Sequence, residues 1–163
     1  MRPAATRIAA AAPFALCLLV AAPALASHYA LTEVSRLVSA SDAEKLHKAG
    51  VDTTEQVLDK AGKSKDRKAL AKESGMGLPA LTTLAKHCDL LRIKGVGPEM
   101  VMLLEAAGVK STPDLAKRDA AGLVAAVESA NKAKKISEKL PTEPQLADWI
   151  EQAKKLPPVI DAK

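Results

Sequence analysis

The chain has 163 residues, a net charge of +5 and one residue each of Phe, Tyr and Trp. A chain of that length holds one domain, or two small ones packed tightly, and its core must be aliphatic. The excess of positive charge is mild, well short of the footprint of a dedicated nucleic-acid binder.

The first residues read as a secretory leader. Arg2 and Arg7 precede residues 8–22, which carry no charge and are rich in Ala and Leu. Ala24-Leu25-Ala26 then supplies small residues at the two positions a signal peptidase reads, so cleavage is expected before Ser27. A bilayer span needs about 20 apolar residues, whereas this stretch is shorter and is interrupted by Pro13. There is no twin-arginine pair, and the residues before Cys17 do not form a lipoprotein box. The expectation is a bacterial protein exported by the general pathway, periplasmic or extracellular, without a membrane anchor once residues 1–26 are removed. Of 163 residues, loss of 26 leaves 137, and loss of Arg2 and Arg7 takes the net charge from +5 to +3. Cys88 is then the only cysteine, so stability rests on packing and not on a disulfide.

From Leu31 onward the pattern is one of short helices. Ser41-Asp42-Ala43-Glu44 has the form of a capping box, with Leu46 on the apolar face and Gly50 as the stop. Thr53-Thr54-Glu55-Gln56 opens a second helix that turns Val57 and Leu58 inward. Leu78, Leu81, Leu84, Ala85, Cys88 and Leu91 recur at spacings of three and four, the clearest amphipathic stripe in the chain. A helix over residues 98–107 carries Val101, Leu104 and Ala107 and stops at Gly108. Thr112-Pro113 reads as a cap followed by proline at the first helical position. Thr142-Glu143-Pro144-Gln145 is another capping box, opening a helix with Leu146, Trp149, Ile150 and Ala153 on one face. Glu151 and Lys155 form an outer i,i+4 pair, and Pro157-Pro158 closes the helix. No segment alternates with period two, so no sheet is expected.

The chain also repeats itself. Ala49-Gly50-Val51-Asp52-Thr53-Thr54 matches Ala107-Gly108-Val109-Lys110-Ser111-Thr112, with Leu46 and Leu104 each three residues before the alanine. Residues 78–86 overlay on residues 146–154 through Ala85-Lys86 and Ala153-Lys154. The offset grows from 58 to 68, which places about ten extra residues in the second copy, near residues 130–140.

One motif carries a mechanism. Leu90-Leu91-Arg92-Ile93-Lys94-Gly95-Val96-Gly97-Pro98 resembles the helix-hairpin-helix motif, in which two helices meet across a glycine-hydrophobic-glycine turn. The glycines allow backbone angles or close approaches that a side chain blocks, and Val96 tucks between the helices. A helix starting at Gly97 presents free N–H groups and the positive end of its dipole, which can hold a phosphate oxygen. Lys94, Gly95, Val96 and Gly97 are therefore the phosphate-binding candidates. Together with the closing segment Asp148-Trp149-Ile150-Glu151-Gln152-Ala153-Lys154-Lys155-Leu156-Pro157-Pro158, the arrangement is similar to the domain-of-unknown-function family 4332. The resemblance covers nearly all of residues 29–160. It implies an all-α fold of two related helix-hairpin-helix-type units, about 30–91 and 92–158, packed into one compact helical domain, and it implies no activity.

This sequence departs from that pattern twice. Residues 35–40, before the first helix, contain no glycine, so no phosphate-holding turn is expected there. Glu99 follows Gly97-Pro98 and would repel a phosphate that Lys94 and Arg92 offset only in part. Lys60, Lys63, Lys65, Arg67, Lys68 and Lys72 form a secondary basic face, with Lys63, Lys65, Arg67 and Lys68 at its centre. Such a run usually means a solvated helix and loop, and no aromatic lies beside it to stack a base. Cys88 sits on its apolar stripe as a buried, inert thiol, with His87 turned about 100° away. The two make no metal site, since no second pair at ligand spacing exists. His28 belongs to a terminal tail, and His47 to the surface. No nucleophile and base stand at catalytic spacing.

The resulting expectation is an exported, non-enzymatic interaction module that binds another protein or an envelope component. It needs no cofactor, metal or small-molecule substrate. The alternative is weak, sequence-independent binding of double-stranded DNA through the hairpin at 95–97.

Overall fold

The computed structural model describes residues 28–161, so the leader expected over residues 1–26 lies outside the described residues. Within them the chain forms eight helices and no strand, with one isolated bridge between Ala30 and Thr53. None of these helices is long and apolar enough to cross a membrane.

The helices are α1 (Ala40–Lys48), α2 (Thr54–Ala61), α3 (Ser64–Ser74), α4 (Leu78–Leu90), α5 (Pro98–Ala106), α6 (Thr112–Leu115), α7 (Ala120–Lys134) and α8 (Glu143–Lys155). The starts of α1, α2, α7 and α8 follow capping chemistry, in places shifted from the expected residue, whereas α3, α4, α5 and α6 have no side-chain cap from the residue before them. Ser39, not Ser41, caps α1, because Ser39 has the extended backbone and its Oγ accepts from the Asp42 N–H at 3.1 Å. Thr53 and Gln56 form the capping box of α2. Ser111, and not Thr112, precedes α6. Thr112 is spent elsewhere, its hydroxyl donating to the Asp89 carbonyl at 2.9 Å. At the head of α8, Gln145 Oε1 accepts from the Thr142 N–H at 2.9 Å. Further along, Glu151 pairs with Lys154 at 2.6 Å instead of with Lys155.

The repeated Ala-Gly-Val segment makes the same turn twice. Gly50 and Gly108 have φ of +70° and +88°, a conformation glycine adopts without steric cost. Each lets the following valine N–H reach back, from Val51 to the Leu46 carbonyl and from Val109 to the Leu104 carbonyl, both at 2.9 Å. Leu46, Val51, Leu104 and Val109 are buried as a result. Further on, the correspondence needs a different register from the expected one. The helix α4 runs from 78 to 90 and α8 from 143 to 155, an offset of 65. Buried Leu81, Leu84, Ala85 and Cys88 then fall on buried Leu146, Trp149, Ile150 and Ala153. Matching Ala-Lys pairs gave 68, but burial decides which residues correspond. The same burial removes Leu78 from the apolar stripe, since it is 37% exposed.

Two polar links tie the helices across the chain. Asp89, 1% exposed at the end of α4, pairs with Arg92 at 2.7 Å, and its other carboxylate oxygen accepts from the Thr112 N–H at 3.1 Å. Arg67 on α3 is equally buried, donating to the carbonyls of Ala61 and Gly62 at 2.8 Å each and to Asp161 at 3.1 Å. The segment after α8 thereby lies against the start of α3, where Ser64 N–H also donates to Asp161 at 2.7 Å. Arg67→Met should lower stability by about 2–4 kcal/mol, since it leaves the Ala61 carbonyl without its donor and takes one of two donors from both the Gly62 carbonyl and the Asp161 carboxylate. A urea midpoint unchanged from wild type would show that the buried guanidinium holds nothing together.

Candidate functional site

The turn between α4 and α5 is built from both sides. Leu90, Leu91 and Ile93 are buried, and Val96 N–H donates to the Ile93 carbonyl at 3.0 Å, which tightens the chain and sinks Val96 between the helices. The two flanking glycines differ in kind. Gly95 has φ of +91°, and a Cβ placed on it would lie 3.0 Å from Trp149 Nε1. It is therefore required twice over, by its backbone and by the indole packed against it. Gly97 has φ of −92° and ψ of 177°, which any residue can adopt. A Cβ there would meet nothing within 4 Å, so no internal packing demands glycine at 97.

Lys94 is fixed through its backbone. Its N–H donates to Gln152 Oε1 at 2.9 Å, and its carbonyl accepts from Gln152 Nε2 at 3.3 Å, while the residue itself is exposed. Ahead of α5, the N–H groups of Gly97, Glu99 and Met100 have no preceding turn to bond to, and no described residue accepts from them. Arg92 does not serve this end of the helix, because it is occupied by Asp89 and by the Pro157 carbonyl at 3.1 Å. The carboxylate of Glu99 is instead faced by Arg36 at 4.0 Å. Arg36 joins Glu99, Lys135 and Lys139 around an open cleft of about 680 Å³. Sequence reasoning missed this grouping because the cations come from positions 36, 135 and 139, with no local signal linking them to residue 99.

The secondary basic face loses its centre. Lys63, Lys65 and Lys68 are exposed, but Arg67 is 3% exposed and turned inward to carbonyls, so it offers nothing to a ligand. Lys60 donates to the carbonyls of Ala49 and Gly50 at 3.2 and 3.3 Å and so closes the C-terminal end of α1. Asp66 stands exposed within the remaining lysines.

Cys88 is 1% exposed, and burial, with Asp89 next to it, pushes its thiol up to about 12. His87 is also buried, contrary to a simple reading of the stripe. Its Nε2 lies 3.1 Å from Glu105 of α5, without the alignment of a hydrogen bond. His47 is exposed and pairs with Asp52, and His28 lies 3.7 Å from Glu55. Among the described residues no group of three or more His, Cys, Asp or Glu side chains could hold a metal ion.

A third feature was not legible in the motifs. Beside α1 a cleft of about 470 Å³ opens over Leu31, Val38, Ala43 and Val51, with Glu44 and Asp52 at its edge. Lys48 pairs with Glu44 at 2.9 Å and holds its carboxyl below the ordinary value, and Asp52 pairs with His47, so both edge carboxylates have partners within the chain.

The glycines make contrasting predictions. Gly95→Ala should cost about 1–3 kcal/mol through the positive φ and the clash with Trp149, while Gly97→Ala should change stability by less than about 0.5 kcal/mol. Equal losses in a urea titration would contradict the separate roles. Cys88 should resist a disulfide reagent at pH 8 and react fully once urea unfolds the chain. A free thiol titrates near 8.5, and the folded value is about 12. The fold therefore holds this proton more tightly, and the thiol's contribution to stability is lost as pH rises from about 9 toward 12. Rapid modification of the native protein at pH 8 would show the thiol to be accessible.

No curated protein and no solved structure matches the chain. A model of the family described as Domain of unknown function (DUF4332) matches residues 36–156, which take in the glycine hairpin and run to the end of α8. That match covers well over half of the sequence, and the chain belongs to this family.

Proposed function

We propose that the protein is an exported, non-enzymatic interaction module that binds a protein partner of the cell envelope, built from two helix-hairpin-helix-type units. The observation that carries this reading is the open cleft beside α1, an apolar floor with a charged edge on an otherwise tightly filled helical body. Export is supported by the charged start, apolar core and small-residue exit of residues 1–26. A non-catalytic role is supported by where the polar side chains are spent. Asp89, Thr112 and Arg67 are consumed in structural links, and the one thiol among the described residues, Cys88, is held protonated. Residues 27–163, immobilised and exposed to envelope extract, should retain one reproducible protein that a similarly charged helical control does not. Failure to retain any such protein would remove the reading.

One observation favours a second reading, sequence-independent binding of double-stranded DNA. Gly97 has no internal reason to be glycine, and it stands where three N–H groups that bond to none of the described residues meet the positive end of α5. A missing side chain at such a place gives a phosphate room to approach. Against it stand Glu99, two residues on, and a net charge of only +5. Fluorescence anisotropy of labelled duplex DNA at low and physiological salt separates the two readings. The protein-binding reading expects no salt-sensitive binding. Binding that falls steeply with salt, and that is lost in a Gly97→Val, Lys94→Glu double variant with native helical circular dichroism, would put the DNA reading in its place.

A further inference from the structure

We propose that the start of α3 is a docking site for an extended acidic segment of a partner protein, and that residues 157–161 of this chain occupy it as a displaceable strap. The site is separate from the cleft beside α1 and from the glycine hairpin. The strap shows what the site recognises. After α8 the chain passes Pro157-Pro158 and reaches the junction of α2 and α3, where Asp161 is held at three points. Its Oδ1 accepts from Arg67 Nη2 at 3.1 Å, and its Oδ2 accepts from the Ser64 N–H at 2.7 Å. Its own N–H donates to the Gly62 carbonyl at 3.2 Å. Side chain and backbone of one residue are thus read together, which suits an aspartate within a peptide. Gly62 adds a steric condition. Its φ of −63° and ψ of −46° suit any residue, but a Cβ there would lie 2.5 Å from the Val159 carbonyl oxygen and 2.6 Å from that of Leu58. Glycine at 62 therefore admits the backbone of the strap as well as the end of its own helix.

The receiving side has its own supports. The carbonyls of Ala61 and Gly62 orient Arg67, each at 2.8 Å. While the strap is docked, Arg67 is closed off and open to no other ligand. Once the strap is displaced, Arg67 Nη2 and the Ser64 N–H lose the carboxylate they bind and can take another. The internal repeat shows how this differs from an ordinary helix start. In the second half α7 holds the place of α3 and is capped locally, Asp119 Oδ2 accepting from the Gly122 N–H at 2.8 Å. At the corresponding place α3 has Lys63, which makes no cap, and the carboxylate comes to Ser64 from 97 positions away. The second half carries its acid within the same turn, whereas the first half leaves the place to a residue that arrives from outside.

The surrounding charge specifies the occupant further. Lys63 and Lys65 are exposed on either side of Ser64, and Lys68 is exposed one turn on. None of the three is paired with a carboxylate among the described residues, where the paired lysines are Lys45, Lys48 and Lys154. Asp66 is the one acid in this run. The strap itself leaves these cations unused and is peripheral. The Asp161 side chain is 44% exposed against 3% for Arg67, and Val159 and Ile160 are half-buried. So small a contact persists because the tether holds the strap at an effective concentration on the order of mM. A partner segment that places one aspartate on Arg67 and Ser64, and further acids toward Lys63 and Lys65, makes the same bonds and adds charge complementarity that the strap lacks.

The strap provides the probe. A fluorescein-labelled, C-terminally amidated peptide of residues 156–161, whose one carboxylate is that of Asp161, is titrated with residues 27–163 as wild type and as Asp161→Ala. The substitution unseats the strap, and helical circular dichroism checks that the fold is kept. Saturable binding with Kd below ~1 mM is expected for Asp161→Ala, and binding weaker by about tenfold or more for wild type, whose own strap competes. Adding Ser64→Pro to Asp161→Ala should weaken the peptide about tenfold, since proline removes the donating N–H and suits the first helical position. A peptide carrying Asp161→Asn should not bind. Absence of saturation with Asp161→Ala, equal affinity in wild type and Asp161→Ala, or affinity indifferent to Ser64→Pro or to the asparagine peptide overturns the assignment and makes Asp161 a fixed part of the fold.

Discussion

Asp89 is the residue on which the arrangement of the two halves depends. It is a carboxylate removed from water at the end of α4, immediately before the glycine hairpin. A buried charge is tolerated only when it is paired and its remaining lone pairs are used. Arg92 takes one oxygen and the Thr112 N–H the other, while the Asp89 carbonyl accepts from the Thr112 hydroxyl. These bonds leave α4 and α6 little freedom to part, and α5 lies in the loop of chain that they close. In the first half Thr54 has the same job, bonding Tyr29 through both the N–H and the hydroxyl oxygen. There the partner is backbone alone, and no charge is buried.

That joint explains why a chain with almost no aromatic side chains holds a definite shape. The core is Leu, Val, Ile and Ala, spread over all the longer helices. Met76 and Cys88 join it, and Trp149 is the one buried aromatic among the described residues, set against Gly95, where a side chain would displace it. Gln152, one turn further along α8, grips both backbone groups of Lys94. The hairpin is thus held by α8 from outside and by Val96 from within. What is left free is the far side, at Gly97, and the uncovered face of α1. The two proposed readings attach to these two places.

How much of this was legible follows from the range of each interaction. Caps such as Thr53 with Gln56, stops such as Gly50 and Gly108, and the faces of α4 and α8 depend on residues within a few positions of each other, and the sequence displays them. The family could be read as well, from the hairpin and the closing segment. The cap at Ser39 could not, because Ser39 and Ser41 are chemically alike and only the backbone conformation chooses between them. Arg67 looked like one cation in a basic run, and its burial is decided by Asp161, 94 positions away. The register of α8 on α4 was misjudged by three residues because Ala-Lys identity is shared by surfaces as easily as by cores. Asp89 carried no signal at all, since its partners are chosen by the fold. The cleft beside α1 is lined from residue 31 to residue 52, and only the folded chain sets those residues around one opening.

The central claim is that the two halves form one cooperative body joined at Asp89, and Trp149 makes it measurable. Urea unfolding is followed by the emission of this single tryptophan, which reports on α8 and the hairpin, and by helical circular dichroism, which reports on every helix. The account predicts one coincident transition by both probes, moved to lower urea by about 3 kcal/mol or more of lost stability in Asp89→Ala. Two separate transitions in the wild-type chain, or an Asp89→Ala curve that overlays it, would contradict the claim.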